Sequence, residues 1–356
     1  MPNHPLGLKA GDIVLGYDRM SWKQLSRELL DAELPISIFY DNGTAGSSKE
    51  SFLHTMLTSA GENWGLFDTV DIERYSTKDT VHLPTSPLSS LHAPYFLATE
   101  QLPVKGVSMP DIGSNIMLSW GVVEGTRIGY IYAWDWYGTP RGTTSRLFGQ
   151  AVDELMHAKK VDGLILDFRT NPGGLPEYAN VGFKQLFNFD PTNNYSQAIR
   201  NYGSDRLSYS FIQPRAEEYF TPTPEIFDHP IAVLSGPSSG SSGDYNLFRM
   251  RFHPMARIFG KKSNGAYTAG FLNSNLGVLN GYFYRVDHGQ IYSNYNGEGF
   301  LMHKSFPVDE EVWLTQEGAA TGEDDVVGRA MEWINTLAYA HSPDANKTEL
   351  NAGGDS

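Results

Sequence analysis

The spacing of apolar residues predicts a first group of elements before a Pro-rich stretch at residues 82–103. A glycine turn leads into a short apolar strand within residues 7–18, and Ser21 is placed to cap a helix that follows it. Helical spacing returns over residues 48–60 and predicts a second helix. Residues 70–75 alternate as a strand does, whereas the Pro-rich stretch is typical of a linker.

The rest of the chain alternates predicted strands and helices. Strand character is found at residues 116–123, 128–136, 164–168 and 231–234. Apolar residues at spacings of three and four predict helices over residues 143–160 and 325–341. The last two strands are near-continuous apolar runs, which is typical of buried parallel strands. Strand, helix and strand in this order indicate an α/β core.

Charge and composition narrow the class of protein. The 356 residues hold 27 Lys and Arg against 41 Asp and Glu, a formal charge of −14, and the basic residues do not cluster. We therefore expect no nucleic-acid partner and no membrane-surface role, since both depend on clustered positive charge. With 40% hydrophobic residues the chain can bury a sizeable core. The predicted organisation is a module at residues 1–85, a core at 86–340 and a disordered tail at 341–356.

Cysteine is absent, which excludes a disulfide framework, a thiolate zinc site and a cysteine nucleophile. No motif indicates a metal or an organic cofactor, so we expect none. The first residues lack the basic and apolar regions of a secretory signal, and no apolar run is long enough to span a bilayer. These features leave the cellular compartment open.

A Pro-Gly-Gly turn follows the first buried strand, at Pro172, Gly173 and Gly174. Glycines at the carboxyl end of a parallel strand can point backbone N–H groups at a ligand, as an oxyanion hole requires. The alternative is a simple tight turn, because Pro and Gly are the usual turn residues. In the first interpretation, a side chain at Gly174 would crowd the reacting carbonyl with little effect on folding.

A serine-rich turn at residues 235–244 follows the second buried strand. A serine at a strand-to-helix junction is exposed at the sheet edge, and the N–H groups at the helix start can hold developing negative charge. The alternative is a flexible linker of Gly and Ser. The apolar segments on both sides argue against a linker, since linkers usually separate domains.

Together the two turns resemble those of the tail-specific, or C-terminal-processing, serine proteases and their tricorn-like branch. The family pattern D-L-R-x-N-x-G-G is matched at Asp167, Arg169, Asn171, Gly173 and Gly174. Its second pattern, S-x-S-[AD]-[GS]-E, is matched at residues 239–244, with Asp244 for the final Glu. The resemblance implies that Ser241 is the nucleophile. It also implies that the backbone N–H groups at Gly173, Gly174 and Ser242 form the oxyanion hole.

Three weaker matches extend the resemblance. Residues 7–18 are similar to the carboxylate-binding loop of a PDZ module, which relatives use to hold a substrate tail. Residues 256–265 resemble the strand and turn after the nucleophile helix, and residues 307–312 resemble the closing element. The implied fold is an α/β core of the ClpP/crotonase-like type that tail-specific proteases share. The resemblance also implies a complete or incomplete PDZ-like module at the N-terminus.

The general base departs from the family pattern. The lysine of the bacterial Ser-Lys dyad would follow Gly265 directly, and this chain has Ala266 there. The tricorn-like branch uses a histidine ahead of the PDZ module, so either an upstream segment is missing or another residue is the base. His303 is the best-placed candidate, in the closing element five residues after Glu298. His54 is better explained as an ordinary helix-surface histidine, and Lys261 and Lys262 as solvated loop charges.

A competing nucleophile lies in the same turn. Ser238 is the centre of a G-x-S-x-G pattern, the elbow of esterases and lipases. Such an enzyme also needs an Asp and then a His later in the chain. Asp287-His288 and the stretch from Asp309 to His341 contain these residues in that order, but in no specific motif. A segment rich in Ser and Gly produces this match by chance, so the family pattern favours Ser241.

The predicted function is a serine hydrolase that cleaves peptide or ester bonds through an acyl-enzyme on Ser241, with a peptide or a small ester as its partner. One alternative is a carboxylesterase that uses the same serine on short-chain esters. Another is a catalytically silent protein that binds peptide termini through the PDZ-like groove. The resemblance favours a location outside the cytoplasm, although the chain shows no signal peptide.

Overall fold

The computed structural model describes residues 4–31, 64–87, 102–109, 118–138, 140, 142–201, 208–267, 273–279, 282–287 and 289–340. Several predictions from the sequence fall outside these residues. They concern the helix over residues 48–60 with His54, the downstream His288 and the tail at 341–356.

The N-terminal residues form an antiparallel sheet with its own small core. Its elements are β1 (Ile13–Tyr17), β2 (Met20–Ser21), α1 (Trp22–Asp31), β3 (Thr69–Glu73) and β4 (Thr80–Pro84). The strand order is β2-β1-β3-β4. The core contains Leu6, Tyr17, Leu25, Phe67, Val70 and Ile72. The predicted linker at residues 82–103 is wrong at its start, because residues 82–84 belong to β4. Val81 and Leu83 of β4 pack against this core, and the strand pairs with β3.

The remaining strands make up three further sheets. The strands are β5 (Leu118–Val122), β6 (Ile128–Ala133), β7 (Gly163–Asp167), β8 (Tyr195–Arg200), β9 (Tyr209–Ile212), β10 (Ile231–Ser235), β11 (Ala256–Gly260), β12 (Asn273–Leu279), β13 (Tyr282–Asp287), β14 (Gly289–Ser293), β15 (Gly299–Phe300) and β16 (Glu310–Glu311). The helices are α2 (Thr143–Asp153), α3 (Asn180–Leu186), α4 (Ser242–Met250), α5 (Gln316–Thr321) and α6 (Asp325–Ala340).

The central sheet has the order β16-β11-β10-β7-β6-β5. Its neighbours from β6 to β16 are parallel, and only β5 is antiparallel. Every residue of β7 and β10 is buried, which explains why the two strands read as apolar runs. Because the strands are parallel, their carboxyl ends meet at one edge of the sheet. The fold is the mixed α/β fold that the alternation of strands and helices predicted.

Helices cover both faces of this sheet. On one face Phe148 and Val152 of α2 join the larger hydrophobic cluster, and on the other Val326 and Ile334 of α6 join the smaller one. The predicted helix over residues 143–160 is α2 followed by a π-helical turn at Glu154–Ala158. In the described part of the chain, no helix has the length and apolar character needed to cross a membrane.

The two other sheets lie beyond what the apolar pattern predicted. Strands β8, β9, β14 and β15 form an antiparallel sheet in the order β15-β14-β8-β9, and β12 pairs with β13 as a hairpin. Strand β9 is mostly exposed, and Phe211 on it is 54% exposed. A strand with so little buried surface leaves no strong alternation in the sequence.

Candidate active site

Two turns meet at the carboxyl edge of the central sheet. Strand β7 pairs in parallel with β10, and Asp167 lies opposite Leu234, so the turns that follow the two strands are neighbours. The Ser239 hydroxyl donates to the carbonyl of Phe168 at 2.7 Å, and the Ser242 hydroxyl donates to the carbonyl of Gly174 at 2.6 Å. The two motifs identified in the sequence therefore form one continuous structure.

Ser241 lies at the junction between the serine-rich turn and helix α4. It is the N-cap residue of α4, but its hydroxyl does not cap the helix. Its backbone has φ 50° and ψ −116°, a conformation that costs a residue with a side chain strain energy. The side chain is half-buried. A strained serine at the start of a helix is the arrangement that presents a nucleophile at a sheet edge.

Ser238 lies within the turn rather than at the start of the helix. The N–H of Ser239 donates to the carbonyl of Gly236 at 2.9 Å, which closes a tight turn around Ser238. Helix α4 begins only at Ser242. The esterase pattern requires its central serine at a strand-to-helix junction. Ser238 therefore does not meet this requirement, whereas Ser241 lies at the junction.

Gly173 faces Ser241. A Cβ atom there would lie 2.6 Å from the Cβ of Ser241 and 3.1 Å from its Oγ, and the backbone φ is +125°. Only glycine allows this close approach. The Gly173 N–H donates to the Asn171 side-chain oxygen at 3.0 Å, so it is engaged within the turn.

A side chain at Gly174 would point at Trp136 rather than at Ser241, which corrects the expectation that it would have little effect on folding. A Cβ atom there would lie 2.7 to 2.9 Å from atoms of Trp136, two of them in the backbone, and φ is +129°. Trp136 is fully buried. A side chain at Gly174 would therefore disturb the packing of Trp136 and the fold. The backbone N–H groups of Gly174 and Ser242 have no hydrogen-bond acceptor among the described residues.

Asp244 is a buried acid to which the sequence analysis assigned a place in the serine-rich pattern but no role. It lies on the first turn of α4 and accepts hydrogen bonds from the N–H groups of Gly265 at 3.0 Å and Ala266 at 2.8 Å, and from the Ser263 hydroxyl. Burial raises its pKa to about 7, although these hydrogen bonds act in the opposite direction. Its signal in the sequence was the final acidic position of the serine-rich pattern. Asp244 thus ties the helix that follows Ser241 to the turn after β11.

Ala266 follows Gly265 directly, at the position where the family resemblance implies a dyad lysine. It is fully buried, and its N–H is bound by Asp244. The nearby lysines are directed elsewhere: the Lys261 ammonium lies 4.9 Å from the ring centroid of Trp313, and Lys262 is exposed. The turn after β11 therefore supplies hydrogen bonds to the site rather than an amine.

His303 lies on a loop that packs against the same turn. Its backbone N–H donates to the carbonyl of Gly265 at 2.9 Å, its φ is 64° and its side chain is exposed. Glu298 is held separately, by the Arg251 guanidinium at 2.6 Å and the Ser293 hydroxyl at 2.8 Å. The loop brings His303 to the carboxyl edge of the central sheet.

Three other histidines lie at the opposite edge of this sheet. His157 precedes β7, His229 precedes β10 and His253 precedes β11, so all three are at the amino ends of the strands. A five-residue strand rises about 3.3 Å per residue, which separates the two edges by roughly 15 Å. In the described residues, no group of three or more His, Asp and Glu side chains could hold a metal ion.

The chain is similar to known peptidases in sequence and in fold. Residues 127–299 match the model of peptidase family S41. No curated protein matches the sequence. Mature CPAF complexed with lactacystin is 12% identical, with a TM-score of 0.59 over 93% of this chain and 77% of that chain. A candidate peptidase from Parabacteroides merdae is 18% identical, with a TM-score of 0.50 over 79% of this chain and 82% of that chain.

A weaker similarity relates the chain to the photosystem II D1 C-terminal processing protease, at 15% identity and a TM-score of 0.40 over 87% of this chain and 65% of that chain. The matched family region contains both turns of the site, from β7 to the start of α4 and beyond. The family resemblance that the two motifs carried is thereby confirmed. Residues 127–299 are therefore similar to a peptidase family S41 domain, and the chain has the mixed α/β fold of such peptidases.

Proposed function

We propose that the protein cleaves peptide bonds through an acyl-enzyme formed on Ser241. The single observation that carries the proposal is the position of Ser241, strained at the start of α4 and facing Gly173. Strain at such a junction keeps the hydroxyl exposed toward a substrate, and glycine opposite it leaves room for the scissile carbonyl.

The reaction follows from the groups around Ser241. A base takes the proton of the hydroxyl as its oxygen attacks the substrate carbonyl carbon. The N–H groups of Gly174 and Ser242 are the donors that we assign to the resulting oxyanion. When the tetrahedral intermediate collapses, the base returns the proton to the departing amine. Water then attacks the acyl-enzyme in the same way, which releases the acid and restores Ser241.

We assign the role of base to the His303 imidazole. Among the histidines of the central-sheet domain that the structure describes, His303 is the one whose loop contacts the turn at Gly265. This turn lies at the same edge of the central sheet as Ser241. Ala266 excludes the Ser-Lys dyad of the bacterial relatives, because its methyl group cannot accept a proton. An imidazole is the usual partner of a serine nucleophile.

Hydrolysis of a short-chain p-nitrophenyl ester by two serine variants tests the proposal. An ester has a better leaving group than a peptide and needs less protonation by the general acid. Its hydrolysis therefore reports on the nucleophile. Ser241→Ala should abolish hydrolysis, whereas Ser238→Ala should retain most of it. The reverse result would support the esterase elbow, and a wild-type protein without activity would support a silent binding protein.

A further inference from the structure

Arg169 lies between strand β7 and the Pro-Gly-Gly turn, and its guanidinium binds two carboxylates. It donates to Asp167 at 2.6 and 3.0 Å and to Asp324 at 2.7 and 3.0 Å. All three side chains are largely buried, and Arg169 is the most exposed of them at 13%. Two parallel bonds between a guanidinium and a carboxylate fix the orientation of both groups as well as their distance. Arg169 and Asp324 therefore form a rigid link.

Asp324 attaches this link to helix α6. Its carboxylate accepts the N–H groups of Val326 at 3.1 Å and Val327 at 3.2 Å, so it caps the first turn of the helix. Helix α6 packs against the central sheet through Val326 and Ile334. Through Asp324, the segment that follows β7 is bonded to a helix that covers one face of this sheet.

The residues on both sides of Arg169 hold the serine-rich turn. The carbonyl of Phe168 accepts the Ser239 hydroxyl at 2.7 Å. The carbonyl of Asn171 accepts the N–H of Gly240 at 2.9 Å. A shift of the backbone at Arg169 would therefore move the turn that contains the proposed nucleophile.

The same segment also holds Gly173 and contacts the first glycine of the serine-rich turn. The Asn171 side chain accepts the Gly173 N–H at 3.0 Å and donates to the carbonyl of Ala133 at 2.9 Å. The carbonyl oxygen of Arg169 lies 2.9 Å from the point where a side chain on Gly236 would begin. Both turns of the candidate site thus rest on the few residues that Arg169 anchors.

We propose that Arg169 is a positioning residue, whose paired bonds to Asp324 hold the two turns at the separation that Ser241 and Gly173 require. It acts through the turns rather than on the substrate. The inference rests on the proposed function for its effect on turnover, because a displacement of reacting groups by about 1 Å can lower a rate by about a hundredfold.

Two conservative variants break the paired bonds and leave other features in place. Arg169→Lys keeps the positive charge, but an ammonium cannot make the two parallel bonds of a guanidinium. Asp324→Asn keeps a side-chain oxygen for the N–H groups of α6, because Asn is as favourable at an N-cap as Asp. Arg127→Lys is the control, since Arg127 is paired with Asp162 in the same way, at 2.5 and 2.9 Å, but at the amino ends of the strands.

Amide hydrogen exchange of the full-length proteins tests the positioning without turnover. The N–H of Gly240, and that of Trp136, which donates to the Gly173 carbonyl at 2.8 Å, should exchange about tenfold or more faster in both variants. The N–H of Ile291, bonded to the Tyr267 carbonyl at 2.9 Å, should keep its wild-type rate. Unchanged exchange at the two turns, or equal acceleration at Ile291, would overturn the inference.

Hydrolysis of a p-nitrophenyl ester, measured below the melting transition of each variant, tests the effect on turnover. We expect kcat to fall about tenfold or more in Arg169→Lys and in Asp324→Asn, with KM unchanged. Arg127→Lys should keep the wild-type kcat. A loss of stability alone would not lower kcat in protein that is still folded.

The double variant Arg169→Lys/Asp324→Asn tests whether the two residues act as one link. Its loss of kcat should be no larger than that of the more impaired single variant, because both changes remove the same bonds. Normal kcat in both single variants, or losses that multiply in the double variant, would overturn the inference. A wild type without Ser241-dependent hydrolysis would count against the proposed function, and hydrogen exchange would then decide whether Arg169 positions the turns.

Discussion

The Cβ of Ser241 lies 2.6 Å from the point where a side chain on Gly173 would begin. The two residues belong to turns that follow different strands, and they meet because β7 and β10 are parallel neighbours. The space above Ser241 is therefore open only while residue 173 is glycine. This relationship links the Pro-Gly-Gly turn directly to Ser241.

Gly173→Ala should abolish hydrolysis. The added methyl group would occupy the space in front of the Ser241 hydroxyl. The backbone φ of +125° at residue 173 is also unfavourable for alanine. We expect the rate to fall by about a hundredfold or more, because displacing the reacting groups by about 1 Å costs that much. Gly328→Ala is the matched control: that glycine lies in α6 with open space around it, so activity should be retained and stability should rise slightly. Normal activity of Gly173→Ala would contradict the account of the site.

Gly174→Ala should act mainly on stability. The methyl group would overlap backbone and side-chain atoms of Trp136, which is fully buried. We expect the free energy of unfolding to fall by about 2 kcal/mol or more, as for other overpacked sites. Urea denaturation followed by tryptophan fluorescence measures this loss. A variant with wild-type stability and reduced turnover would instead restore the interpretation that Gly174 faces the reacting carbonyl.

Asp244 should make the stability of the protein depend on pH. Burial raises its pKa to about 7, whereas an Asp in an unfolded chain titrates near 3.9. Between these values the folded protein keeps a proton that the unfolded chain has lost. The free energy of unfolding should therefore fall as pH rises from about 4 to about 7, by at most about 4 kcal/mol, and then level.

Asp244→Asn isolates this contribution, because all other ionisable groups are the same in both proteins. Chemical denaturation should give the free energy of unfolding of wild type and variant at each pH. The difference between the two free energies should change up to about pH 7 and be constant above it. Two parallel curves would show that Asp244 does not titrate there. The variant should also lower turnover by about tenfold, since an amide offers one oxygen where the carboxylate holds two N–H groups and a hydroxyl.

His303→Ala should remove most of the hydrolytic activity if this imidazole is the base. General-base catalysis contributes about a hundredfold to ten-thousandfold, and added imidazole should restore part of that rate. Rescue by imidazole distinguishes a lost base from a disturbed loop. Lys261→Ala and Lys262→Ala should keep the wild-type rate. A fully active His303→Ala enzyme would exclude His303 and direct attention to other histidines.

The parts of the site that could be predicted from the sequence are those with a local signal. The buried strands β7 and β10 appear as apolar runs, and the turns after them contain the Gly and Ser patterns that identified Ser241. The contact of Gly174 with Trp136 could not be predicted, because no local signal near either residue specifies which face of the turn packs against Trp136. The bonds from Asp244 to the Gly265 turn likewise join residues far apart in the chain. The sheet that contains β9 was missed because that strand buries too little surface to alternate.

Covalent labelling of the wild-type protein with a fluorophosphonate tests the central claim most directly. An activated serine reacts with this probe, whereas an ordinary serine hydroxyl does not. Mass spectrometry of the digested adduct should place a single phosphonate on Ser241, and Ser241→Ala should lose the label while Ser238→Ala keeps it. A label on Ser238, or a folded wild-type protein that takes up none, would contradict the account.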